Sequence, residues 1–156
     1  MALPILYSNE PEESSISLSS DRLSVTMRIP AEMAYIGNAS LTLRGICDHV
    51  ALAAERANRI VLAMEEALVN AIEHAYDGEG GVIDLEFSVE EAELKLIIED
   101  FGCGLPEVSA VCYDDILRDR GRGLVLIQEI PDDVTIDSVK GKGTKTSMLF
   151  SLANCD

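Results

Sequence analysis

The sequence predicts a two-layer α/β (α+β) sandwich, a mostly antiparallel, mixed sheet of about five strands with three helices on one face. Three observations predict it. Five segments alternate apolar and polar residues, the period of a strand with one wet side. Three segments carry apolar residues at helical spacing. The strands come mostly as neighbours joined by short turns, as hairpins do, which makes the sheet largely antiparallel.

In chain order, residues 1–21 read as a flexible lead, with Glu10, Glu12 and Glu13 beside a serine-rich run, and 22–156 as a single domain. Leu23, Val25, Met27 and Ile29 alternate with polar residues up to Pro30 and give the first strand. Ile36, Leu41, Leu43, Ile46 and Val50 place a helix within 31–50, and a second runs over about 54–76 until Asp77-Gly78 and Gly80-Gly81 end it. Ile83, Leu85, Phe87 and Val89, then Leu94, Leu96 and Ile98, make a hairpin turning at Glu90-Glu91-Ala92. Residues 101–121 form a loop rich in Gly, Asp and Arg, whose acidic stretch from Glu107 to Asp119 reads as a lid. A short helix over 123–130 stops at Pro131. Two last strands carry Val134, Ile136 and Val139, then Thr146, Met148, Phe150 and Leu152, turning at Gly141-Lys142-Gly143.

Composition narrows the function. With 12 basic and 28 acidic residues the net charge is −16, a field that repels phosphate backbones and argues against direct binding of nucleic acid. A nucleotide is an anion too, so any site for one needs local positive potential from arginines, helix N-termini or a divalent cation. No apolar run approaches the roughly 20 residues of a membrane span, and the first residues lack the features of an export signal, so the expected location is the cytoplasm. The cysteines at 47, 103, 112 and 155 form no Cys-x-x-Cys pair and read as reduced thiols.

Four segments carry chemistry. In the second helix Glu66, Asn70 and His74 stand four apart and form one line. Alone, such a line is what any solvated helix face shows. Asparagine is a middling helix former, however, and its amide oxygen suits a hard cation shared with phosphates. Asp100 ends a buried strand and is followed by Gly102 and Gly104, which permit close backbone approach; the carboxylate there can accept from an exocyclic amine. Alone this is an Asp-x-Gly turn. Gly121-Arg122-Gly123 opens the third helix beside Arg118 and Arg120, which meets the demand for positive potential. Gly141-Lys142-Gly143-Thr144 precedes the last strand and can bring the Thr144 hydroxyl to a ligand.

The four segments, in this order and spacing, resemble the ATP-binding domain of the GHKL superfamily (the Bergerat fold). Glu66 to Tyr76 resembles more narrowly the N-box of anti-sigma-factor serine kinases. The resemblance covers residues 22–152 and implies ATP and Mg²⁺ as ligands. It implies that Asn70 coordinates Mg²⁺, that Glu66 is the catalytic carboxylate polarising the attacking hydroxyl, and that Asp100 binds the adenine amino group with support from Thr144. Gly102 and Gly104 would line the adenine side, and Gly121, Arg122 and Gly123 the phosphate side. The implied activity is phosphorylation of a serine on an anti-anti-sigma protein, with sequestration of a sigma factor, as a homodimer. The alternative is an ATP-gated protein that holds a sigma factor or another regulator without transferring phosphate.

Overall fold

The computed structural model describes residues 16–19, 22–105 and 122–153. The first fifteen residues and the expected lid over 107–119 lie outside them. The strands are β1 (Ile16–Ser19), β2 (Arg22–Pro30), β3 (Val82–Glu90), β4 (Glu93–Asp100), β5 (Asp133–Val139) and β6 (Gly143–Ser151); the helices are α1 (Ile36–His49), α2 (Ala54–His74) and α3 (Arg122–Glu129). They form one six-stranded sheet in the order β1-β2-β3-β4-β6-β5.

Among the described residues every strand pairing is antiparallel, so no mixed hydrogen bonding is found there. The connections explain this. Between β2 and β3 the chain runs out through α1 and back through α2, so β3 starts beside the end of β2, with Pro30 opposite Val82. Between β4 and β5 the described part of the connection is α3, and β5 runs in the direction of β4. The β5–β6 hairpin then places β6 between them, with Asp100 opposite Thr144 and Val139 opposite Gly143. The end of β4, the end of β5 and the start of β6 therefore lie at the same end of the sheet as the end of β2 and the start of β3.

The sixth strand, β1, lies inside the stretch expected as a lead and pairs with β2 over Ile16–Ser19. Its alternation of Ile16 and Leu18 with serines is too short to stand out from the serine-rich run. The first helix starts at Ile36 rather than near Ala31, because the Ala31 N–H still bonds the Gly81 carbonyl as a continuation of the β2 ladder. A 3₁₀ turn over Met33–Tyr35 links the two.

One core joins the helices to the sheet. Leu43, Ile60, Met64 and Leu68 from the helices are fully buried with Phe87, Leu94, Leu96, Met148 and Phe150 from the strands. On α2 the buried stripe runs Ala57, Ile60, Val61, Met64, Ala67 and Leu68, the spacing of one helix face. The other face of the sheet carries the Arg28–Asp84 and Lys145–Glu99 ion pairs. No helix among the described residues is long and apolar enough to cross a membrane.

Candidate functional site

The stripe on α2 continues past the core as Ala67, Asn70, Ala71, His74 and Ala75, and this part walls a cleft. Asn70 and His74 both line this cleft on the side turned toward the sheet, Asn70 half-buried and His74, at the helix end, exposed. The three alanines leave open the volume that larger side chains such as Met64 and Leu68 fill one and two turns earlier. Across the gap stand Ile98 and Asp100 of β4, Thr144 and Thr146 of β6, Ile136 of β5, Ile127 of α3, and Gly104 and Leu105 of the loop after β4. The cleft is partly open to solvent and, with the solvent in its mouth included, spans about 650 Å³.

Asp100 is the most constrained polar group in it. The residue is 6% exposed. Its Oδ1 accepts the Gly102 N–H at 3.1 Å and the Thr144 N–H at 3.2 Å. Among the described residues no donor reaches Oδ2. Burial pushes the carboxyl above its ordinary value, and the two N–H bonds oppose that shift without cancelling it. A buried carboxylate with one oxygen tied and the other free is an acceptor prepared for a donor on a ligand.

The loop after β4 is held on both sides. The Cys103 N–H donates to the Ala75 carbonyl at the end of α2, and the Gly141 N–H donates to the Cys103 carbonyl. Tyr76 ties the same corner, its hydroxyl donating to the Val82 carbonyl and accepting the Phe101 N–H. Gly102 does not line the cleft. A Cβ there would stand 2.0 Å from the Ala75 carbonyl oxygen, so its glycine serves the packing of loop on helix. Gly104 does line the cleft and has a φ of +70°.

Asn70 differs from Asp100. Its Nδ2 is enclosed and has no hydrogen-bond partner among the described residues. An enclosed amide without a partner costs free energy unless something else satisfies it. Since an amide can present either its nitrogen or its oxygen, a ligand group or a cation meets that need equally well. Glu66 lies one turn earlier on α2, half-buried and outside the residues that line the cleft. The chain places Asn70 and Asp100 on one cleft with Gly104 and Thr144; Arg122 and Gly123 open α3, and Gly121 lies outside the described residues.

Leu105 and Ser138 were given no part in the sequence reading, and Tyr76 and Gly143 entered it only as the end of a motif and as a turn. Ser138 left a signal. The half-buried positions of β5 are Val134, Ile136 and Ser138, whereas Val139 is 55% exposed. A serine thus stands in the inward register, where the expectation had counted Val139.

The chain matches the histidine kinase-like ATPase domain family over residues 29–150. It is 32% identical over 128 residues to a serine-protein kinase RsbW of Oceanobacillus iheyensis, covering 75% of this chain and 80% of that one. It is 31% identical over 135 residues to the serine-protein kinase RsbW of Staphylococcus aureus, covering 80% and 84%. Among solved structures, the histidine kinase domain of a blue-light activated histidine kinase from Erythrobacter litoralis has a TM-score of 0.54 at 25% identity, over 80% of this chain and 62% of that one. The RsbU and RsbW domains of a Mycobacterium tuberculosis protein give 0.59 at 17% identity, a likeness of fold, over 81% of this chain and 32% of theirs.

Proposed function

Because the chain belongs to the histidine kinase-like ATPase family, alongside the serine-protein kinase RsbW proteins, we propose that it is an ATP-binding anti-sigma factor and protein-serine kinase that phosphorylates an anti-anti-sigma protein in partner switching. The observation that carries the reading is the pairing of an unpartnered Asn70 amide with a buried Asp100 carboxylate across one cleft.

Asp100 Oδ2 accepts the 6-amino group of adenine, while its Oδ1 stays tied to the Gly102 and Thr144 N–H groups. The alanine-lined wall of α2 and Ile98, Ile136 and Leu105 enclose the base. Asn70, farther along the same wall, would hold the phosphate end, its amide suited to Mg²⁺ or to phosphate oxygens. When bound, Mg²⁺ supplies neutralisation of the charge that develops on the transferred group. Glu66 lies one turn, about 6 Å along the helix axis, beyond Asn70. That puts it past the phosphate end rather than against the nucleoside, where a substrate serine hydroxyl arrives. There its carboxylate orients the hydroxyl and takes its proton, and positioning does most of the work. Arg122 and the N–H groups that open α3 supply the positive potential that a chain of net charge −16 requires. The protein acts in the cytoplasm, as a homodimer, and holds its sigma factor there.

The test is transfer of label from radioactive ATP, with Mg²⁺, to the serine of the cognate anti-anti-sigma protein. Glu66→Ala abolishes transfer and keeps ATP affinity. Transfer that survives this substitution removes Glu66 from the mechanism, and a parent protein that binds no ATP removes the whole reading.

A further inference from the structure

One apolar face of the helical layer is turned away from the core. Leu41 of α1 is 73% exposed, and Met33 and Tyr35, in the 3₁₀ turn just before α1, are 48% and 39% exposed. The core-facing residues of α1 are Ala39, Leu43, Ile46 and Cys47, so Leu41 stands on the opposite side, where nothing among the described residues covers it. Gly37 and Gly45 lie one turn to either side of Leu41, and a Cβ on either would meet nothing within 4 Å. Glycine weakens a helix but keeps its surface flat, so another segment can lie close to it there.

The direction of β1 and the composition of the chain before it say which segment that is. β1 is antiparallel to β2, with Ile16 opposite Val25 and Ser19 opposite Arg22. The chain before Ile16 therefore arrives from the end of the sheet where β2 finishes at Pro30 and the Met33–Tyr35 turn follows. Upstream, Leu3-Pro4-Ile5-Leu6-Tyr7 is an unbroken apolar run, and Glu10, Glu12 and Glu13 stand between it and β1. Continuing the β1–β2 register by three pairs would bring Glu13 opposite Arg28, a match of charge that leads the chain toward Pro30. Tyr7 is nine residues before Ile16 and Leu3 thirteen, a reach of about 30 to 45 Å when extended. From Val25 to Pro30 the strand spans only about 17 Å, so the run reaches past the sheet end and over α1.

We propose that residues 3–7 dock in extended form on the face presented by Met33, Tyr35 and Leu41, so that the occupant of this surface is a segment of the chain itself. This goes beyond the nucleotide reading and does not depend on it. Docking removes the apolar run and the exposed face from water together, and Pro4 suits an extended course. The short tether gives the segment a high local concentration, which favours it over a second copy of the chain. The face is then open to other chains only when the segment lifts off.

The experiment follows chymotrypsin cleavage of the full chain after Leu6 and Tyr7, in the parent and in Leu41→Asp. Cleavage tracks the population of the undocked segment, so the initial rate should rise roughly 5- to 20-fold in Leu41→Asp. Leu62→Asp, which changes an exposed apolar residue of α2, should leave the rate as in the parent. Leu41→Ser replaces the aspartate variant should that one fold poorly. Conversely, Ile5→Asp should increase binding of a hydrophobic fluorescent dye, and Ile5→Asp/Leu41→Asp should lose that increase, which puts the freed surface on α1. Equal cleavage of parent and Leu41→Asp overturns the proposal, as does an equal rise in Leu62→Asp. A parent whose Leu6 and Tyr7 sites are protected only at high protein concentration assigns the face to a second copy and overturns it too.

Discussion

The two ends of the cleft are built on opposite plans. At the Asp100 end the protein ties its polar groups to one another and leaves only Asp100 Oδ2 open: two N–H groups hold the other carboxylate oxygen, Ser138 holds Thr144 and Leu105, and Cys103 is bonded to both α2 and the β5–β6 turn. At the Asn70 end the protein leaves an enclosed amide without a partner among the described residues. The first end is rigid before any ligand arrives, because its bonds are intramolecular. The second carries a cost that a ligand removes. Recognition of the base and handling of the phosphates are thus separable, and breaking the packed corner at the first end should cost stability where removing the unpartnered amide at the second should add it.

The largest effect is expected at the rigid end. Gly143 has a φ of +109°, and a Cβ there would stand 1.9 Å from the Asp100 carbonyl oxygen. Gly143→Ala combines backbone strain with a clash against backbone that has no room to yield, and should cost at least about 3 kcal/mol. A shift of the denaturant midpoint toward lower concentration measures it. A cost below about 1 kcal/mol means that the corner is pliable, and the contrast between the ends collapses.

An opposite and smaller change is expected at the other end. Asn70→Ala removes an unsatisfied amide and installs a better helix former, so the ligand-free protein should gain about 0.5–1 kcal/mol. The same variant should lose the Mg²⁺-dependent part of its ATP affinity. Thermal unfolding without ligand and nucleotide titration with and without Mg²⁺ read the two effects separately. A destabilised variant would show that Asn70 is satisfied within the protein; unchanged Mg²⁺ dependence would remove it from the cation site.

The contrast also explains what was legible in the sequence. The period of the side chains marked five strands and three helices, because burial of one face leaves a pattern in every element of useful length. It missed β1, whose four residues are too few to show a period. Asn70 and Asp100 were legible because a polar residue in a mid-helix position or at the end of an apolar strand breaks a local rule. Which way Asn70 faced was not, since a line at spacing four fits a wet face and an inward face equally. That depended on Ala67, Ala71 and Ala75, whose small size opens the cleft only once β4 and β6 lie opposite. Ser138 and Gly143 act through contacts set by the β4–β6–β5 order, a non-local fact that no window of sequence contains.

The smallest change in stability at neutral pH, and the one with the most diagnostic shape, is expected from Asp100→Asn. The asparagine keeps an oxygen for the Gly102 and Thr144 N–H groups but carries no charge to bury. In the parent, burial holds the Asp100 carboxyl above its ordinary value of 3.8. A carboxyl whose folded value is raised binds more protons folded than unfolded. Its contribution to stability is fully present below the ordinary value and is lost as the pH rises through the folded one. Parent and variant should therefore be nearly equal in acid, and the variant should draw ahead through that window and stay ahead at neutral pH. Unfolding free energies of the two proteins across pH 3–8, taken as a difference, isolate this one group from the other acidic residues. If the difference instead opens the other way, with the parent ahead at neutral pH, the two N–H bonds outweigh burial. Asp100 would then be a group the fold holds in its charged form for its own stability, and the plan of the two ends would have to be redrawn around it.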